Sequence, residues 1–150
     1  MNITRVESDK KRYLSLLLLA DEQEDMIERY LSRGTMYVLC DGGGVRAECV
    51  VTMEPGGIVE IKNLATDPRY QKRGYGRALI EFIALRYADQ CDILQVGTGD
   101  SPLTLPFSEK CGFVRSHVVK DFFIDHYDHP IIECGVRLRD MVYLQRRLRR

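Results

Sequence analysis

The sequence predicts a mixed α/β fold with a mostly antiparallel central sheet and helices on both faces. Three observations predict it. Three strand-like runs follow one another through glycine-rich turns at Asp41-Gly42-Gly43-Gly44 and Pro55-Gly56-Gly57, which is the pattern of an antiparallel meander. Helical periodicities flank that meander on both sides. The 150 residues are 45% hydrophobic and 29% charged, enough to pack one domain over 1–150.

The elements follow in order. Asn2 to Val6 reads as a first strand. Ser8 is placed to cap a helix carrying Tyr13, Leu14, Leu17 and Leu18. Asp21 and Glu24 have capping-box spacing for a second helix, with Ile27, Tyr30 and Leu31 on one face and Gly34 as its stop. Met36 to Cys40, Val45 to Met53 and Ile58 to Thr66 are the meander strands. In the middle one, Val45, Ala47, Cys49, Val51 and Met53 share a face. A helix from Gly74 to Asp89 buries Ala78, Leu79, Phe82, Ile83 and Tyr87. Ile93 to Thr98 is a strand, and a short helix starts near Thr104, where Pro106 falls in the tolerated first turn. Phe113 to Phe123 and Val136 to Leu144 read as the last strands, separated by an aromatic and polar excursion from Asp125 to Pro130.

Several function classes fall away. Lys+Arg and Asp+Glu both number 22, which argues against a nucleic-acid partner. The longest apolar run, Leu16 to Ala20, is five residues, far short of the ~20 of a membrane span. The start of the chain shows no secretory pattern. The five cysteines Cys40, Cys49, Cys91, Cys111 and Cys134 lack CxxC spacing, as expected of reduced thiols in the cytoplasm. His126 and His129, with Asp125, Asp128 and Cys134, also lack zinc-site spacing, so no metal is expected.

One stretch carries chemistry. Gln71-Lys72-Arg73-Gly74-Tyr75-Gly76-Arg77-Ala78 lies between a strand end and a helix start. Glycines there allow backbone N–H groups to converge, and the helix N-terminus adds partial positive charge. The dinucleotide fingerprint would need a third glycine where Leu79 stands, and no Gly-Lys-Ser/Thr follows. Spacing alone leaves a pyrophosphate cradle and a plain glycine turn with solvated basic residues equally open.

Gln71-x-x-Gly74-x-Gly76-x-Ala78 resembles the Q/R-x-x-G-x-G/A signature of the GNAT acetyltransferase superfamily. Glu109-Lys110-Cys111-Gly112-Phe113 resembles the E-K-x-G-F that closes the next helix in those enzymes. The match is close from Ile58 to Phe113 and follows the whole chain in element order. The tail, with Phe122-Phe123, His126-Tyr127 and Arg139-Asp140-Met141, is similar to small bacterial acetyltransferases. Some of these carry an indole-acetate acetyltransferase label.

The resemblance implies a sheet that splays between its fourth and fifth strands. It implies acetyl-CoA as co-substrate, its pantetheine arm pairing with the backbone of Leu64, Ala65 and Thr66. The pyrophosphate would sit on the amides of Gln71, Lys72, Arg73, Gly74, Tyr75, Gly76 and Arg77. It implies an amine acceptor framed by the first two helices and the loop between the last two strands. Folds of this superfamily often pair as homodimers, which leaves that state open here.

Acetyl transfer to an amine needs a proton acceptor, because an alkylammonium has a pKa of ~10.4. Glu60, eleven residues before Gln71, stands where the histone-acetyltransferase branch has its base; the other reading is a surface carboxylate paired with Lys62. Many members place a tyrosine just before E-K-x-G-F as the acid for the leaving thiolate. Here that residue is Ser108, either a donor acting through water or a helix-surface serine. His126 and Tyr127 read as an acceptor-site rim or a plain loop, His117 as structural, and Arg146, Arg147, Arg149 and Arg150 as a solvated tail. Two other classes stay open: a non-catalytic acyl-CoA-binding module, and a nucleotide binder using the Gly74 turn.

Overall fold

The structure, a computed structural model, describes residues 1–148. It contains β1 (Asn2–Arg5), α1 (Leu14–Ala20), α2 (Glu24–Leu31), β2 (Thr35–Asp41), β3 (Gly44–Glu54), β4 (Ile58–Thr66) and α3 (Tyr75–Tyr87). These are followed by β5 (Ile93–Gly99), α4 (Thr104–Lys110), β6 (Val114–Val119), α5 (Phe122–His126), β7 (Ile132–Glu133), β8 (Val136–Arg137) and β9 (Met141–Arg147). Single 3₁₀ turns precede α1 and follow β4.

Seven strands form one sheet in the order β1-β2-β3-β4-β5-β9-β6, and β7 with β8 makes a separate small hairpin. Among the described residues only the central β4–β5 pair is parallel. Apolar residues leave both sheet faces to be covered. Leu79 and Ile83 of α3 pack on Ala47, Cys49, Val51, Val59 and Ile61. Leu17, Ile27 and Leu31 of α1 and α2 pack on Met36, Val38 and Val50 of the opposite face. Each such fully buried aliphatic side chain stabilises the fold by about 1.5–3 kcal/mol.

The ends of β3 depart from simple alternation. A register shift opposite Leu39/Cys40 moves Val45 to the α1/α2 side, and Met53 is exposed. Ser8 and Asp21 do not cap helices: Asp9 and Gln23 occupy those positions without side-chain cap bonds. Asp21 is drawn off by two tyrosine hydroxyls. The C-terminal strands also differ from expectation. The backbone leaves the sheet after Val119, Phe122–His126 is a helical turn, and the last strand begins at Met141. Phe122 and Phe123, whose type favours strands, instead form an aromatic cluster with His126 and Tyr127. Arg146 is no solvated tail residue, since it pairs with Glu81 at 2.8 Å and donates to the Cys111 carbonyl. Arg149 and Arg150 lie outside the described residues.

Candidate active site

β4 and β5 run together only from Ile58–Ile93 to Ile61–Val96. Just beyond, β4 has a bulge: Val50 faces Asn63 while Val51 faces Ile61, leaving Lys62 extra. A bulge bends its strand, and the two strands part there. The gap opens into a cavity of about 410 Å³. Lys62, Asn63 and Leu64 form one wall and Val96 to Gly99 the other, with Phe107 and Ser108 of α4 beside them. Asp21 and Glu22 of the α1–α2 connection, Tyr127, and Leu138 and Met141 close the far end.

The predicted cradle stands beyond the end of β4. Leu64, Ala65 and Thr66 pair with β3 on one side and, among the described residues, with no strand on the other. Asp67 accepts the Arg69 N–H at 3.0 Å, starting the turn that leads to Gln71. Lys72 and Gly74 adopt left-handed backbone, with φ of 64° and 84°. The first internal bond of α3 runs from the Ala78 N–H to the Gly74 carbonyl at 3.0 Å. The amides before it therefore have no partner inside the helix. Tyr75 fixes this end of α3 by donating to Asp41 of β2 at 2.7 Å. A Cβ on Gly76 would sit 3.4 Å from Phe107 and 3.8 Å from Thr66, so this glycine borders the slot between β4 and α4. Gln71, Lys72, Arg73 and Arg77 are exposed around it.

Glu60 is buried but lies off the cavity wall. One oxygen accepts from Gln95 Nε2 at 2.7 Å and the other pairs with Lys62 Nζ at 2.8 Å. Tyr143 is pushed up to about 12 by its own burial and then by the Glu60 and Glu54 charges. Ser108 is 6% exposed and faces the cavity, which excludes the helix-surface reading.

A polar chain crosses the cavity floor. Asn63 Nδ2 donates to the Leu17 carbonyl and to Tyr30 Oη, both at 3.0 Å. Tyr30 donates to Asp21 at 3.2 Å, and Tyr127 donates to the other Asp21 oxygen at 2.8 Å. Burial raises the Asp21 carboxyl above its usual range against the pull of these bonds.

Residues 32–115 match the family described as acetyltransferase (GNAT) domain. The uncharacterized N-acetyltransferase YvbK of Bacillus subtilis strain 168 is 36% identical over 141 residues, covering 92% of this chain and 90% of that protein. The chain belongs to the GNAT acetyltransferase family. Two solved structures agree. A GNAT family acetyltransferase from Elizabethkingia anophelis with acetyl-CoA bound has a TM-score of 0.92 and 30% identity, covering 98% of this chain and 97% of that one. An IAA acetyltransferase from Bacillus cereus ATCC 14579 has a TM-score of 0.89 and 36% identity, covering 98% and 99%.

In this GNAT acetyltransferase Leu64 and Ser108 line the cavity, while Ala65, Thr66 and the Gln71–Arg77 turn lie outside its lining, the turn adjoining the end of β4 through Gln71, which donates to the Thr66 carbonyl at 3.4 Å, and through Gly76. Glu60 stays behind the wall. Sequence reasoning missed Asp21, Tyr30 and Asn63 as one unit, and no local pattern announces a chain of bonds joining residues 21, 30, 63 and 127. Of the Asp125–Pro130 excursion, Tyr127 lines the cavity and His126 does not. His129, which is not part of the lining, pairs with Asp128 and with Glu22 of the wall. His117 stacks on Tyr143 with ring centroids 4.7 Å apart, a packing role.

Proposed function

We propose that this acetyltransferase takes acetyl-CoA into the β4–β5 gap and transfers the acetyl group to a primary amine. The single observation that carries this is the parting of a parallel strand pair beside a glycine-bordered helix N-terminus. The unpaired edge at Leu64, Ala65 and Thr66 offers backbone donors and acceptors to the pantetheine amides, as an added strand would use them. The amides from Gln71 to Arg77 receive the pyrophosphate, with Lys72, Arg73 and Arg77 around it.

The chemistry then balances simply. The ammonium gives up one proton, and the neutral nitrogen attacks the thioester carbonyl. The C–N bond forms and the C–S bond breaks. CoA departs as a thiolate, and the second amine proton ends on its sulfur. A thiol of pKa about 8.5 leaves without strong assistance. Ser108 is placed to assist through a bridging water. Ser108→Ala should therefore lower kcat by no more than about tenfold, against the roughly 10²–10³ of a direct donor, with acetyl-CoA affinity unchanged by calorimetry. Glu60, with both oxygens engaged, acts as a positioning residue that holds Lys62 at the bulge.

The five cysteines are all free thiols, which supports a reducing, cytoplasmic setting. Among the described residues no helix is long and apolar enough to cross a membrane. The test is a screen of acetyl-CoA with a broad panel of amines, reading free thiol and product mass. Amine-dependent thiol release with a mass gain of one acetyl group is the expected result. Acetyl-CoA binding without turnover on any amine would overturn it in favour of a binding module.

A further inference from the structure

Resting on the cavity being the acceptor site, we propose that Asp21 is the acceptor-binding carboxylate and proton acceptor, and that the acceptor is a cationic primary amine. The charged residues of the cavity wall are Asp21, Glu22, Glu133 and Lys62. The Lys62 ammonium is occupied by Glu60 at 2.8 Å, and Glu22 is occupied by His129 at 3.1 Å. The wall therefore presents net negative charge to whatever enters.

Asp21 is the carboxylate held in place there. Tyr30 donates to one oxygen and Tyr127 to the other, and the Gln23 backbone amide adds a third bond. These phenols come from α2 and from the segment after α5, so the carboxylate cannot turn away without breaking both. Each carboxylate oxygen has more than one acceptor site, which leaves capacity for a ligand N–H.

A second observation points to the same ligand. Asn63 is 2% exposed and lies on the cavity wall. Both its N–H groups are engaged, by the Leu17 carbonyl and Tyr30. Its Oδ1 is buried and has no hydrogen-bond partner among the described residues. A buried carbonyl oxygen without a donor is costly. Asp21 thus offers acceptor sites on the wall, Asn63 Oδ1 lacks a donor, and an alkylammonium brings three N–H donors and the matching charge. An anionic acceptor would bring no donor for Asn63 Oδ1 and would meet a negative wall.

The placement also suits the reaction. Asp21 is joined to β4 by only two hydrogen bonds, through Tyr30 and Asn63. Asn63 is at the point where β4 leaves β5, directly before the Leu64 edge. The charged and titratable groups around Asp21 are Glu22 beside it, Asp25 and Tyr30 on α2, Tyr127, Glu133 and Lys62 across the cavity, and Glu48 of β3 behind Tyr30. Burial of Asp21 works in the same direction as this anionic company, toward a more basic carboxylate. That narrows the gap to the ammonium it must deprotonate. In the step itself the ammonium N–H bond breaks, the proton passes to an Asp21 oxygen, and solvent later removes it.

The experiment compares wild type, Asp21→Asn, Tyr127→Phe and Glu60→Gln by thiol release. The probes are 1,5-diaminopentane, lysine methyl ester and phenethylamine, with indole-3-acetate as the anionic contrast. Asp21→Asn should lower kcat/KM for the amines by about 10²-fold or more, leave acetyl-CoA affinity unchanged, and erase the acidic limb of the pH profile. Tyr127→Phe removes a bond that favours the charged carboxylate, so the limb should move to higher pH. A folded Asp21→Asn protein with full kcat/KM and the same limb would overturn the proposal. So would loss of the limb in Glu60→Gln alone, an unmoved limb in Tyr127→Phe, or wild-type binding of indole-3-acetate that weakens no amine's advantage. Wild type that binds acetyl-CoA yet acetylates no amine would defeat the acetyl-transfer reading itself, and this proposal with it.

Discussion

Gly76→Val should abolish tight acetyl-CoA binding while leaving the fold in place. The protein itself has room for the change. A Cβ at this position meets Phe107 and Thr66 at 3.4 and 3.8 Å, ordinary or only slightly tight contact. Gly76 has no positive φ to lose, unlike Gly74 at 84°. The branched side chain fills the slot between β4 and α4, which in the proposed binding mode the cofactor crosses from the helix N-terminus to the β4 edge. The amides there deliver their hydrogen bonds only if the pyrophosphate reaches the backbone. Charge-assisted hydrogen bonds are the strong ones. Losing them together should weaken binding by about 10²-fold or more, at roughly 1.4 kcal/mol per tenfold. Calorimetry on a variant with a wild-type melting curve checks this. Unchanged affinity would remove the cradle from the account.

Asn63→Asp should cost the most stability for the smallest change in shape. The substitution is nearly isosteric, yet it replaces two donors by a carboxylate facing the Leu17 carbonyl and Tyr30 Oη. The position is 2% exposed, and Asp21 and Glu48 lie in the same network or beside it. A buried charge without a partner costs about 3–5 kcal/mol, of a total that for such domains is only about 5–15. For a chain of this size that is a fall in Tm of the order of 10 °C. The sign with pH follows from the burial. The new carboxyl has a folded pKa above its unfolded value of about 3.9, so the penalty is largest at neutral and alkaline pH. It should shrink as pH falls through that raised pKa. Melting curves from pH 5 to 8 test this, and a variant as stable as wild type at pH 8 would show that the network does not bind α1 to β4.

Much of the site was legible because its signals are local. Gly74 and Gly76 stand three and five residues past Gln71, at a helix start, and each constraint involves only neighbours in sequence. The α3 face was legible for the same reason, since Leu79 and Ile83 repeat at helical spacing and are fully buried. Glu48 shows where local reading fails. Alternation along β3 put it on the face away from Cys49, and in an exposed sheet that face is wet. Here α1 and α2 cover it, so Glu48 is 0% exposed and burial pushes its carboxyl well up. Asp21 failed in the other direction. Its spacing to Glu24 satisfies a capping box, but tyrosines nine and 106 residues away take the carboxylate instead. Long-range partners of this kind leave no periodic trace.

Acetyl-CoA is proposed to bind in the gap between β4 and β5. Amide hydrogen exchange on wild-type protein, with and without saturating acetyl-CoA, tests it residue by residue. The account predicts slowed exchange at Leu64 to Thr66 and from Lys72 to Arg77, absent when ATP replaces acetyl-CoA. Protection confined to other strands, or equal protection by ATP, would contradict it.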